Sequence, residues 1–154
     1  MAAGDKNINE IIKEVYNGTI YAVKKIVPLE PEVGAPQLIE PPLFVKFGVM
    51  IGFTGGIKGE LVLQSTDAFF SEIGELMFGM PLSDDMLESF VGELGNMIAG
   101  SLATYLADVS IVTDITHPTV LKGDAKLSGF KRALLVEINY QADKKMAVHL
   151  LLNQ

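Results

Sequence analysis

VKFGVMIGFTGGIKGELVLQ, residues 45–64, decides the fold. Val45, Phe47, Val49, Ile51 and Phe53 alternate with Lys46, Gly48, Met50, Gly52 and Thr54, the period of two of a strand with one buried face. Gly55-Gly56 supplies a two-residue turn, and Ile57 to Gln64 returns with Ile57, Leu61 and Leu63 on one face. The glycines between Gly52 and Gly59 do not make a phosphate-cradling loop. Neither GxGxxG nor GxxxxGK spacing is present, and the segment joins two strands.

A second hairpin closes the chain. Leu134, Val136, Ile138 and Tyr140 alternate in one arm (133–141), and Met146, Val148, Leu150 and Leu152 in the other (144–152), around Ala142-Asp143. Between the hairpins, Ser65 or Thr66 caps a short helix to Phe78 that Gly79 and Pro81 end. Ser83 caps a longer helix to about Ala107, with Asp84 and Asp85 at the positive end of its dipole. Val109 to Thr116 reads as an additional strand and 119–131 as a loop with two glycines. Upstream, Ile8, Ile11, Ile12, Val15, Thr19, Ile20 and Val23 recur at helical spacing over 7–26, capped by Asp5 or Asn7 and stopped by Pro28. The proline-studded stretch 28–42 is an extended connection. No βαβ alternation and no solenoid repeat appear. The expectation is one α/β (more exactly α+β) domain over 1–154, with one largely antiparallel sheet of two hairpins plus a further strand and three helices packed on it.

Composition narrows the function. The chain has 154 residues, 49% of them apolar, no cysteine and a formal charge of -7. That charge argues against nucleic-acid binding, which usually needs a basic face to displace counterions. No apolar run reaches the ~18 residues needed to span a bilayer, and the start, MAAGDKNINE, has no apolar secretion core. The expectation is a cytoplasmic protein with no nucleic-acid or membrane partner. His117 and His149 lack metal-ligand spacing, and no Ser-His-Asp or Cys-His arrangement is visible.

The long helix carries the chemistry. At ~100° per residue, Leu87, Phe90, Leu94, Met97, Ser101 and Tyr105 form its main core face. Gly92, Gly95, Ala99 and Ala103 form a second, nearly bare stripe that lets another backbone come close, at about 1 kcal/mol per glycine relative to alanine. Ser89, Glu93, Asn96, Gly100 and Thr104 form a third stripe, polar and flat, from which Glu93 and Asn96 stand out. A solvated Glu and Asn is the plain reading of such a pair; the small residues around it suit a large partner.

Ser89, Glu93 and Asn96, followed after 21 residues by Pro118, resemble the signature of the CheC/CheX-type chemotaxis phosphatases, and resemble CheX most. GELGNMIAGSLATYL around the pair, FTGGIKGELVL before it and DITHPTVLKG after it look CheX-like too, and the order of elements fits nearly the whole chain. The resemblance implies a phosphatase that hydrolyses the aspartyl phosphate of a CheY-like response-regulator receiver domain. Asn96 would orient the attacking water and Glu93 would pair with the receiver's lysine. Ser89, Gly92, Gly100 and Pro118 would support the site or touch the partner. No cofactor of its own is implied, since the phosphorylated receiver brings the Mg²⁺. A carboxamide can hold an attacking water, because phosphoryl transfer needs mostly positioning and charge compensation.

The two-site CheC pattern raises Glu14 and Asn17, which share the spacing and precede Gly18. Glu10 stands where Asp or Ser is expected, and Tyr16 and Tyr21 crowd the helix, so the single-site CheX pattern fits better. The resemblance also implies a homodimer through the sheets, for which the apolar terminal strand KMAVHLLLNQ is the expected edge. The seven methionines read mostly as core filler, with Met77, Met80 and Met86 the ones that could border a docking surface. The alternative is a non-catalytic receiver-binding adaptor related to flagellar-switch proteins. A metabolic enzyme would need a concave pocket with convergent polar groups.

Overall fold

The computed structural model describes residues 7–153. Helix α1 (Ile8–Ile26) is capped by Asn7, whose side chain accepts from Glu10 N–H at 2.9 Å; Asp5, the other expected cap, lies outside the described residues. Chain order then gives β1 (Glu32–Val33), β2 (Gln37–Ile39), β3 (Leu43–Gly55), β4 (Gly59–Gln64), α2 (Asp67–Phe78), α3 (Asp84–Asp108), β5 (Thr113–Ile115), β6 (Thr119–Leu127), β7 (Arg132–Tyr140) and β8 (Lys144–Leu152). Thr66 caps α2 and Ser83 caps α3. Gly79 ends α2 at φ 75°, a left-handed turn that glycine adopts without strain.

Every recorded strand pairing is antiparallel. The sheet runs β1-β7-β8-β4-β3-β5, with β2 beside β1 on β7 and β6 beside β5 on β3. One face carries the helices. Val15, Ala22 and Val23 of α1, Phe69, Phe70 and Ile73 of α2, and Leu94, Ile98, Leu102 and Leu106 of α3 share a core with Phe47, Val49, Leu61, Leu63, Val136 and Val148. A smaller cluster of Leu43, Val45, Val62, Phe130, Ala133 and Leu151 lies apart from it. Leu61 and Leu63 belong to the first cluster and Val62 to the second, as the pleat demands.

Several expectations change. The terminal strand β8 is no edge: it pairs with β4 and β7 in the middle of the sheet. Its continuous burial from Met146 to Leu152, broken only at Ala147, reflects cover on both faces. The free edges are β1/β2 and β5/β6. The stretch 119–131 is not a loop but mostly β6, and 28–42 contributes β1 and β2. A register shift between Val45 and Phe47, beside Gly123 at φ 91°, breaks the period of β6. It also sends Val45 to the opposite cluster from Phe47, Val49, Ile51 and Phe53.

The turn of the first hairpin is longer than Gly55-Gly56. The β3–β4 register ends at Phe53 opposite Gly59, and Gly55 pairs with Thr113 instead. The strand expected over 109–116 shrinks to β5, because α3 unwinds through a reverse turn. Ser110 takes φ 66°, its N–H bonds to Ala107 O, and Ile111 N–H bonds to Leu106 O at 2.8 Å. These are the paired bonds of a Schellman ending, with buried Ile111 and Leu106 sharing the core. The Ala142-Asp143 turn stands as expected, both residues at φ near 60°.

Candidate functional site

Helix α3 carries the candidate site, and both its sides are anchored. Ser83 accepts from Met86 N–H, and Asp84 and Asp85 fill the first turn, where the helix dipole favours acids. The core face is rotated from the expected one: Val91, Ile98, Leu102 and Leu106 are fully buried, while Met97, Ser101 and Tyr105 are only half-buried.

The bare stripe is occupied by the protein's own sheet. A Cβ on Gly95 would lie 2.6 Å from Val49 Cγ1 and 2.8 Å from Ile51 Cδ1. A Cβ on Gly92 would meet Val120 Cγ2 at 3.4 Å and Pro118 Cγ at 4.0 Å. The glycines that were expected to admit a partner therefore admit β3 and the start of β6. That contact also brings Pro118 to the residue before Glu93. An ion pair between Lys122 and Glu88, at 3.3 Å and half exposed, tethers β6 to the same side of α3; such a surface pair contributes ~0–1 kcal/mol.

On the outer side, Ser89 and Glu93 are exposed and Asn96 is half-buried. Among the described residues, none of the three side chains has a hydrogen bond or ion pair. Gly100, one turn beyond Asn96, differs from the other helix glycines: a Cβ there would meet nothing within 4 Å. Packing among the described residues gives it no reason to be glycine.

Glu14 and Asn17 are half-buried on α1. Gly18 after them has an internal job, since its Cβ would lie 2.6 Å from Tyr105 Cδ1 and 2.7 Å from Leu102 Cδ1. The glycine after that pair seats α1 on α3, whereas the glycine after Asn96 faces open space.

The stripe is not flat at its N-terminal end. Beside Ser89 and Glu93 lies a groove of about 580 Å³ lined by Phe78, Leu82, Asp85, Met86 and Phe90. Met86 was expected at a docking surface, while Phe90 was read as core and Asp85 as a first-turn acid; that these meet Phe78 and Leu82 in one groove was not read, because the lining comes from two helices and the turn between them. Met80 is exposed nearby in sequence, while Met77 is packed against the core. His117 is exposed beside Pro118; His149 is buried in β8, away from α3. Among the described residues, no group of three or more His, Cys, Asp or Glu is arranged to hold a metal, and no helix is long and apolar enough to cross a membrane.

Comparison with known proteins gives this geometry its context. Residues 47–132 match the family model for chemotaxis phosphatase CheX. The CheY-P phosphatase CheX of Thermotoga maritima is 32% identical over 151 residues, 93% of either chain. Among solved structures, CheX of Desulfovibrio desulfuricans aligns with TM-score 0.76 at 19% identity, covering 93% of this chain and 99% of that one. The Borrelia burgdorferi CheX-CheY-BeF3-Mg²⁺ complex contains a chain that aligns with TM-score 0.75 at 21% identity, covering 93% and 97%.

Proposed function

The chain belongs to the CheX family of chemotaxis phosphatases, and from that premise we propose that it hydrolyses the aspartyl phosphate of a CheY-like response-regulator receiver domain. One observation carries the reading. Glu93 and Asn96 stand without partners among the described residues on the outer side of a helix anchored on its other sides, and Gly100 beyond them is bare for no internal reason.

The protein supplies half of an active site. The Asn96 carboxamide accepts and donates hydrogen bonds at once, so it holds a water in line with the phosphorus without needing a base. Fixing that water removes orientational freedom that would otherwise add to the barrier. The Glu93 carboxylate pairs with the receiver's lysine and sets the register of the helix. Ser89 lies one turn earlier and contacts the partner; Gly92 and Pro118 hold the helix at its depth. The receiver brings the Mg²⁺, a division of labour supported by the composition of the Borrelia complex. Glu14 and Asn17 are not assigned a second site, because Gly18 is needed for packing.

Asn96→Ala tests the reading. Release of phosphate from a phosphorylated receiver should fall by about 100-fold or more, the scale seen when a group that positions or stabilises the transition state is lost, while circular dichroism and the melting temperature stay at parental values. A variant as active as the parent overturns the water-positioning role.

The homodimer is proposed on family resemblance alone, with the cytoplasm as its setting. Because β8 is central, edge-to-edge pairing of two sheets would use β1/β2 or β5/β6 rather than β8. A mass that stays monomeric across micromolar to millimolar concentration by sedimentation equilibrium overturns the dimer.

A further inference from the structure

The groove between α2 and α3 is apolar, open and adjacent to the candidate site. Phe78 is 57% exposed, Met80 51% and Met86 43%, an unusual concentration of large apolar side chains around one turn. The groove has a rigid floor. Phe90 is 4% exposed and packs edge-on against Phe78 at 5.7 Å between centroids. Leu82 folds over Gly74, whose Cβ would lie 2.3 Å from Leu82 Cδ1. Met86 on the wall is unbranched and adapts to an occupant. Ser89 and Glu93 line the same groove, so a macromolecule seated on Glu93 covers it without a second docking event.

Its rim is acidic. Asp85 lines the groove with Glu93, and Asp84 and Glu75 are exposed in the neighbouring turns. Among the described residues, none of these four carboxylates forms an ion pair. A pocket with an aromatic floor, a methionine wall and an acidic rim selects an apolar side chain flanked by lysine or arginine.

We infer that this groove is the anchor pocket for the receiver: one apolar side chain of the receiver, next to a basic residue, inserts between Phe78 and Met86 when the phosphoaspartate meets Asn96. The inference rests on the receiver-phosphatase reading above. The groove then governs which receiver is accepted, while Asn96 governs turnover.

The experiment measures phosphate release against receiver concentration, together with binding of the beryllofluoride-activated receiver, for the parent, Phe78→Ser, Met86→Glu, Asn96→Ala and Val112→Glu. Val112 is 71% exposed, lies outside the groove and controls for added surface charge. Melting temperatures confirm folding; Phe78→Ser removes apolar surface without adding charge and so backs up Met86→Glu. The expected result is a rise of about tenfold or more in both the half-saturating receiver concentration and the Kd for the two groove variants, with Val112→Glu within about twofold of the parent, and with Asn96→Ala losing rate but keeping its Kd; a tenfold change is the scale of one good apolar anchor. A parent that works while both groove variants match Val112→Glu overturns the pocket and leaves the phosphatase reading standing. A parent that binds without accelerating release overturns the phosphatase reading, and the Kd values still decide the pocket. A parent that neither binds nor accelerates with any receiver overturns both.

Discussion

At the scale of single residues, two glycines of one helix do opposite work. Gly95 is held by its neighbours. A methyl group there overlaps Val49 and Ile51 side chains at 2.6 and 2.8 Å, and overpacking of this kind costs about 1–3 kcal/mol. The helix-propensity gain of alanine, ~1 kcal/mol, offsets only part of that. Gly95→Ala should therefore melt lower. Gly100→Ala meets nothing within 4 Å, so only the propensity and chain-entropy gains remain, and the melting temperature should rise by about 2–4 °C. If the receiver passes close to that turn, the more stable Gly100→Ala protein should also need severalfold more receiver for half-maximal rate. Thermal melts and receiver titrations on the two variants decide the matter. A Gly100→Ala protein that is both more stable and fully active would mean that nothing approaches this turn.

The elements show what a sequence discloses and what it withholds. Hairpin arms with one buried face announce themselves by alternation, and so β3, β4, β7 and β8 were legible. Ser83 placed the start of α3, and Asn7 and Thr66, each one of two candidates, cap α1 and α2, because a polar side chain before an apolar stripe has a local reason to be there. β6 was hidden for a physical reason. Lys122, Asp124 and Lys126 are exposed on it, and the irregularity at Gly123 interrupts its period. Those charges suit an edge strand, where they discourage pairing with other chains. The position of β8 was misread because an apolar terminal strand looks the same at an edge or in the centre; only long-range register separates the two. The candidate site divides the same way. Glu93 and Asn96 lie on one element, and their spacing puts them on one face. The seat of Gly92 against Val120 and Pro118, and the groove with Phe78 from a different helix, are contacts between segments that no local period encodes.

In the whole molecule, β8 in mid-sheet makes one residue a reporter of the fold's integrity. His149 pairs across to Val62 of β4 and Leu135 of β7, and its side chain is 2% exposed. Gln64 Nε2 lies 2.8 Å from His149 Nε2. With the amide donating, the ring proton sits on Nδ1, which has no partner among the described residues. Burial lowers the pKa of His149 from 6.5 to about 4, because the charged ring would lose its hydration. The unfolded chain takes up a proton below pH 6.5 that the folded chain refuses until about pH 4. This contribution to stability is therefore fully present above pH 6.5, falls as the pH drops through that window, and is gone below about 4. The difference of about 2.5 pKa units corresponds to roughly 3 kcal/mol, most of which should be lost between pH 7.5 and 4.5. His149→Leu removes the titration while keeping an apolar side chain between the two hairpins, so its stability should change correspondingly less over the same interval. Urea unfolding of parent and variant at the two pH values reads the difference directly. Equal pH slopes for the two proteins would mean that the centre of the sheet admits the proton, and that acid weakens the fold through its carboxylates instead.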